Sequence, residues 1–237
     1  MSNGYYQLPT GRVASVDGDC DFPALNEALI EPDGLIAIGG DLSLIRLLAA
    51  YRQGIFPWFS EGDPIMWWSP NPRMVLFPSE LKISNSLAKT LKKINDKTVQ
   101  NNVFEIRFNT AFREVITACS QALRNGQPGT WITQDIIEAY SLMHDKGYAI
   151  SAECWLNDKL VGGCYGVKIG KMFYGESMFH HITDASKVAF VSLVQKLKAE
   201  GVELIDCQMK TAHLSSLGAR EISRDSFARQ LFKLLQS

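Results

Sequence analysis

Two acids and one amide in this chain stand in unusually apolar company. Asp206 and Gln208 close the run Leu204-Ile205-Asp206-Cys207-Gln208. Glu176 lies in Phe173-Tyr174-Gly175-Glu176-Ser177-Met178-Phe179, among aromatic and sulfur side chains. Two residues apart on a strand, Asp206 and Gln208 are expected to point to one face. If the Gly175–Glu176 end and the Asp206 end belong to neighbouring strands, the two acids share a pocket. An acid in an apolar pocket titrates high, and one paired with a cation titrates low. In either state it can hold and orient an amine. A single such acid is more often a strand-end cap or a salt-bridge partner, because charged residues are seldom buried without a structural reason. Two acids and an amide together bring the two readings level.

The tryptophans form a second cluster. Trp58, Trp67, Trp68 and Trp131 fall in expected loops and Trp155 in an expected strand. A loop tryptophan usually plugs a core; it can also stack on a nucleobase, worth ~1–3 kcal/mol per base. A third feature is charge. From Arg73 to Arg113 there are eight basic residues (Arg73, Lys82, Lys89, Lys92, Lys93, Lys97, Arg107, Arg113) against three acids (Glu80, Asp96, Glu105), in a chain whose net charge is −1. Such a stretch is either a solvated helix face or a landing patch for a phosphate backbone.

Other chemistries lack their residues. His144, His180, His181 and His213 stand at no zinc-ligand spacing from a cysteine or from one another, so no metal is expected. Gly175-Glu176-Ser177 lacks the G-x-S-x-G frame of a hydrolase elbow. There is no P-loop and no dinucleotide-binding glycine fingerprint. The [QR]-x-x-G-x-[GA] loop that would hold the pyrophosphate of coenzyme A is also absent. Cys207 has no histidine in a recognisable pattern and reads as a buried structural thiol.

The elements that must position these residues follow from periodicity. Pro32-Asp33-Gly34 is a turn signal, and Gly39-Gly40 ends a short apolar segment. Leu44 to Gln53 reads as an amphipathic helix, capped by Asp41 or Ser43 and stopped at Gly54, with Leu44, Leu47, Leu48 and Tyr51 inward. The prolines and tryptophans from Ile55 to Arg73 predict stiff aromatic loops. A domain boundary is placed near Pro70–Pro72. Further helices are expected over Ser84–Lys93, Ala111–Arg124 (stopped by Gly126), Gln134–Lys146, Thr183–Glu200 and Arg224–Leu235. Strands are expected over Val103–Phe108, Tyr148–Leu156, Leu160–Ile169, Lys171–Glu176 and Val202–Cys207. This order predicts an α+β chain. A small N-terminal domain (residues 1–71) would precede a main domain (residues 72–237) with a largely antiparallel central sheet, a layout compatible with GNAT acyltransferases.

The chain has 237 residues, 46% hydrophobic and 21% charged, enough for one large domain or two small ones without metal or disulfides. Its cysteines Cys20, Cys119, Cys154, Cys164 and Cys207 are odd in number and scattered, as free thiols in a reducing compartment would be. Met1 to Thr10 is polar and unlike a signal peptide. No apolar run approaches the roughly 18 residues of a membrane span. A soluble, cytoplasmic protein is expected.

Several longer strings are shared with one family. They are Pro32-Asp33-Gly34-Leu35, Gly39-Gly40-Asp41-Leu42-Ser43, Gly54-Ile55-Phe56-Pro57-Trp58-Phe59, Trp67-Trp68-Ser69-Pro70, Gly129-Thr130-Trp131-Ile132, Gly175-Glu176-Ser177-Met178-Phe179 and Ile205-Asp206-Cys207-Gln208. By these the chain resembles the bacterial leucyl/phenylalanyl-tRNA–protein transferases, from Phe22-Pro23 through the last helix. Members of that family often run on past this helix; here the chain ends at Ser237, and no role is given to a tail. The resemblance implies a GNAT-like C-terminal domain. It implies transfer of Leu or Phe, less well Met, from aminoacyl-tRNA to proteins whose N-terminal residue is Lys or Arg, marking them for N-degron degradation. It implies Asp206 and Gln208 as the catalytic pair and Glu176 as the acceptor-side carboxylate. Trp58 and Trp131 would flank the terminal adenosine. Phe173, Met178 and Ile205, with Cys164 and Leu193, would line the side-chain pocket. Arg73, Lys82, Lys89, Lys92 and Lys93 would take tRNA phosphates. Under this resemblance the ester is already activated, so no cofactor is needed, and a monomer with no membrane contact is expected. Three alternatives stay open: a coenzyme A-dependent N-acyltransferase, a non-catalytic tRNA- or peptide-binding module, and a peptidoglycan-branching transferase.

Overall fold

The computed structural model describes residues 4–18, 21–95, 103–122 and 130–236. Cys20, Lys97, Gly129 and the Arg124–Gly126 helix stop fall outside them. In chain order the elements begin with β1 (Tyr5–Leu8), β2 (Gly11–Ser15), β3 (Leu35–Ile38), α1 (Leu44–Arg52), β4 (Phe56–Pro57), β5 (Met66–Trp68), β6 (Arg73–Leu76), α2 (Asn85–Asn95) and β7 (Glu105–Phe108). They continue with α3 (Phe112–Gln121), α4 (Gln134–Asp145), β8 (Ala149–Leu156), β9 (Lys159–Ile169), β10 (Met172–His180) and α5 (Ala185–Ala199). Last come β11 (Leu204–Gln208), α6 (Ala212–Ser216), β12 (Arg220–Ile222) and α7 (Arg224–Leu235).

Among the described residues these strands form two sheets: five strands in the order β1-β2-β3-β5-β4, and seven in the order β12-β6-β11-β10-β9-β8-β7. The larger sheet is antiparallel except for the pair β10–β11. This is the α+β layout expected from the sequence. The Trp67–Trp68 segment, expected as loop, is strand β5. Proline excludes helix there but not an edge strand: β4, which carries Pro57, lies at the sheet edge where a missing N–H costs no ladder bond. Trp67 is fully buried, with Nε1 donating to the Gly39 carbonyl at 2.9 Å.

Side chains alternate along β8 to β11, so the large sheet has a core on each face. One core takes Leu47 and Tyr51 of α1, Val115 of α3, Ile136 of α4 and Phe227 of α7. It also takes Trp67 of the small sheet, so the two sheets share it. The opposite core holds Leu87 of α2 and the length of α5 from Val188 to Leu197.

Local signals set several of these boundaries. Ser43 caps α1 by accepting from the Arg46 amide, and Thr133 caps α4 through the Ile136 amide. Gly54 follows α1 at φ +79°, a conformation a side chain disfavours. A Cβ there would also stand 2.8 Å from Phe227 Cε1. Thus α7 packs against the backbone just before β4.

Candidate active site

The parallel pairing of β10 with β11 runs Met172↔Leu204, Phe173↔Ile205, Tyr174↔Asp206 and then stops. Each strand carries a register shift at that level. On β10, Gly175 pairs Gly166 and Ser177 pairs Tyr165, so Glu176 is the extra residue. On β11, Asp206 pairs Val75 and Gln208 pairs Met74, so Cys207 is skipped. Bulges bend strands and re-aim side chains. Here two of them flank the place where the sheet opens. The strand expected to end at Glu176 continues to His180, because the bulge absorbs the acid and lets pairing resume.

A cavity of about 440 Å³ occupies this opening. Glu176, Ser177 and Met178 form one lip; Cys207, Gln208 and Met209 form the other. Phe56, Pro57, Trp58 and Trp131 close one side, and Cys164, Phe173, Phe190 and Leu214 the other. The wall is therefore mostly apolar, with the polar groups of Glu176, Ser177, Gln208, Thr211 and His213 set into it.

Glu176 Oε1 accepts a 2.7 Å hydrogen bond from the Tyr51 hydroxyl of α1, and Oε2 a 3.5 Å contact from Tyr140 of α4. The two tyrosine hydroxyls are also hydrogen-bonded to each other. Tyr174 Oη donates to the Tyr51 carbonyl at 2.8 Å, tying α1 to the sheet. Loss of water pushes Glu176 up to about 8; donation from Tyr51 opposes this and the Asp206 charge adds to it. Burial and the Glu176 charge hold Tyr51 and Tyr140 far above their ordinary range, so both remain donors. The sequence marked Tyr51 only as an inward helix residue, and Tyr140 not at all. The available signal was general: a buried tyrosine hydroxyl needs a partner.

Asp206 is not on the cavity wall. Its side chain is 1% exposed and lies in the core, gripped by Arg73: Nε to Oδ1 at 2.8 Å and Nη2 to Oδ2 at 2.7 Å. Gln208 lines the cavity at φ +55°. The expectation that the two share a face fails because period-2 alternation does not survive a bulge. The same fact corrects Arg73. It is 1% exposed and committed to Asp206, so it cannot meet a tRNA phosphate.

The other expected site residues divide. Phe173, Met178 and Cys164 are in the cavity wall, as are Trp58 and Trp131. Ile205 and Leu193 are fully buried behind it in the α5-side core. Their neighbours Phe173, paired with Ile205, and Phe190, one turn before Leu193, form the wall instead. Lys82, Lys89, Lys92 and Lys93 are exposed on and just before α2. Arg107 and Arg113 are engaged by Glu105, Asp158 and Glu138. Cys119, Cys154, Cys164 and Cys207 are buried thiols in no disulfide, and burial raises the Cys164 and Cys207 thiols beyond useful nucleophilicity. Among the described residues no helix is long and apolar enough to cross a membrane.

A largely antiparallel sheet, helices on both faces, one parallel pair and a cavity where it opens define a GNAT-like fold. The same fold is found in FemX, which superposes at TM-score 0.51 with 8% identity, over 92% of this chain and 81% of that one. The chain belongs to the leucyl/phenylalanyl-tRNA protein transferase family, whose sequence model matches residues 75–232, with that of its N-terminal domain matching 40–71. A relative from Nitrosomonas eutropha is 56% identical over 222 residues, covering 94% of this chain and 91% of its own. One from Chromobacterium violaceum is 57% identical over 210 residues, covering 89% and 86%. Both are named leucyl/phenylalanyl-tRNA–protein transferase.

Proposed function

We propose that this protein transfers the leucyl or phenylalanyl group, and less well the methionyl group, from tRNA to the α-amine of proteins beginning with Lys or Arg. The product carries a new N-terminal residue that marks it for N-degron degradation. One observation carries the reading. A single cavity joins an acid, an amide, two tryptophans and an apolar end at the break in the β10–β11 pair.

In this reading residues 1–71 form a small N-terminal domain that lends Tyr51 and Trp58 to a catalytic domain, residues 72–237. Trp58 and Trp131 flank the terminal adenosine. Phe173, Met178, Cys164 and Phe190 receive the amino-acid side chain. An apolar pocket excludes charged side chains through their desolvation cost. It separates apolar ones only loosely, at ~1–3 kcal/mol per methylene. Glu176 takes the cationic side chain of the acceptor. A cation there supplies the opposite charge that favours the carboxylate, so the acid ionises as the acceptor arrives.

The attacking α-amine has an ordinary pKa of ~7.7–8.0, so a sizeable fraction is neutral near neutrality. The Gln208 side-chain carbonyl accepts a hydrogen bond from that amine and orients it against the ester. The new C–N bond forms, the bond to the ribose oxygen breaks, and one proton moves from the nitrogen to the leaving oxygen. Positioning and modest base assistance, ~10²–10⁴-fold, suffice for an activated ester. Asp206 acts from below, as a fixed charge under Gln208. Lys82, Lys89, Lys92 and Lys93 receive acceptor-stem phosphates.

The test is transfer of radiolabel from Leu-tRNA to two peptides, one beginning with Arg and one with Ala. Label is expected in the Arg peptide alone, and absent with Gln208→Ala. No label in either peptide from a folded, tRNA-binding protein would refute the transfer reading. Label in both with Glu176→Gln is expected only if Glu176 chooses the acceptor; unchanged Arg selectivity would refute that role.

A further inference from the structure

We propose that Arg73 is a positioning residue for Gln208, acting through Asp206; this rests on the aminoacyl-transfer reading above. Arg73 holds both carboxylate oxygens of Asp206, at 2.8 and 2.7 Å. Its guanidinium lies between two aromatic rings, 4.8 Å from the centroid of Phe56 and 4.6 Å from that of Phe227. Its remaining nitrogen, Nη1, has no hydrogen-bond partner among the described residues. The fork is thus aimed wholly at one carboxylate, and the ring faces hold it in that plane.

Asp206 passes this constraint on. Oδ1, already held by Arg73 Nε, also accepts from the Gln208 backbone amide at 3.0 Å. That bond closes the β11 bulge and fixes Gln208 at φ +55°, a conformation side chains disfavour without local support. The bulge turns Gln208 into the cavity while Asp206 stays in the core. A buried ion pair is a weak source of stability, since an apolar pair of like volume often serves as well. Its geometry is what an apolar pair lacks. A two-pronged grip sets the plane and register of the carboxylate, and through it the aim of Gln208. Lysine offers the charge without the fork. Phe56 adds a second link, since it stacks on Arg73 and also lines the cavity.

The test separates scaffold from catalysis. The apolar double variant Arg73→Met with Asp206→Leu and the single variant Arg73→Lys are compared with the unaltered protein for melting temperature, Leu-tRNA binding, transfer rate and acceptor KM. The double variant is expected to melt near the unaltered protein and bind Leu-tRNA within about three-fold, yet transfer at least about 100-fold more slowly. Arg73→Lys is expected to lose about ten-fold or more in kcat with acceptor KM unchanged. The Gln208 amide resonance in a nitrogen-15 spectrum should move in both. A folded double variant with an unaltered rate overturns the proposal. If the double variant does not fold, an unaltered kcat in Arg73→Lys overturns it instead. Absence of transfer by the unaltered protein would strike the reaction assigned above. The Gln208 resonance would then still report whether Arg73 holds the bulge.

Discussion

Glu176 shows how much the surroundings of one side chain decide. In the sequence it is a carboxyl among apolar residues; in the structure it is an acid displaced upward to about 8, first by loss of water. The sign of the consequence follows from linkage. The folded state keeps the proton where the unfolded chain has released it, so stability is fully present below the ordinary carboxyl range and falls as pH rises towards 8. Glu176→Gln removes the titration. Urea unfolding should therefore show the variant gaining on the unaltered protein between about pH 5 and about pH 8 and then holding a constant advantage. A parallel pair of stability curves would show that Glu176 is not held neutral. Asp206 is the contrasting acid: fully buried where Glu176 is half-buried on the cavity wall, and with a guanidinium on both oxygens. Apolar sequence around an acid signals that it is at least partly buried. It does not signal whether a cation is buried with it.

Elements were legible where the signal is local. The capping serine and stopping glycine of α1 and the limits of α7 read directly from capping preferences and periodicity. The short strands β4 and β5 were missed because proline and tryptophan imitate loop composition, and the β10 and β11 bulges because a bulge answers to the neighbouring strand. Gly54 joins two such scales. It ends α1 at φ +79°, and its missing side chain leaves room for Phe227, which in turn stacks on Arg73. Gly54→Ala should cost ~2 kcal/mol or more in unfolding free energy, from left-handed strain plus overpacking. It should also slow transfer, because α7 can no longer seat Phe227. A variant as stable as the parent would mean the backbone there moves aside freely.

Over the whole molecule the charge is close to balanced, at −1, yet its basic residues are unevenly used. Arg73, Arg107 and Arg113 are committed to acids. Lys82, Lys89, Lys92 and Lys93 stay exposed on and just before one helix. If these lysines meet tRNA phosphates, binding weakens linearly on a log–log salt plot. Replacing Lys89, Lys92 and Lys93 together by Ala should lower that slope by up to about 0.9 for each phosphate no longer neutralised, with little change in the transfer rate at saturation. An unchanged slope would move the tRNA footprint elsewhere.

The sequence by itself determined the family strings, the α+β order of elements, and the apolar settings of Glu176, Asp206 and Gln208. It did so because capping, periodicity and turn chemistry act over a few neighbouring residues. Only the tertiary structure decided that Arg73 meets Asp206 across 133 positions and Tyr51 meets Glu176 across 125. It also decided that Gln208 faces the cavity while Asp206 does not. Those outcomes depend on strand register and on which buried charge finds which partner. Both are fixed by packing between segments that periodicity treats as independent.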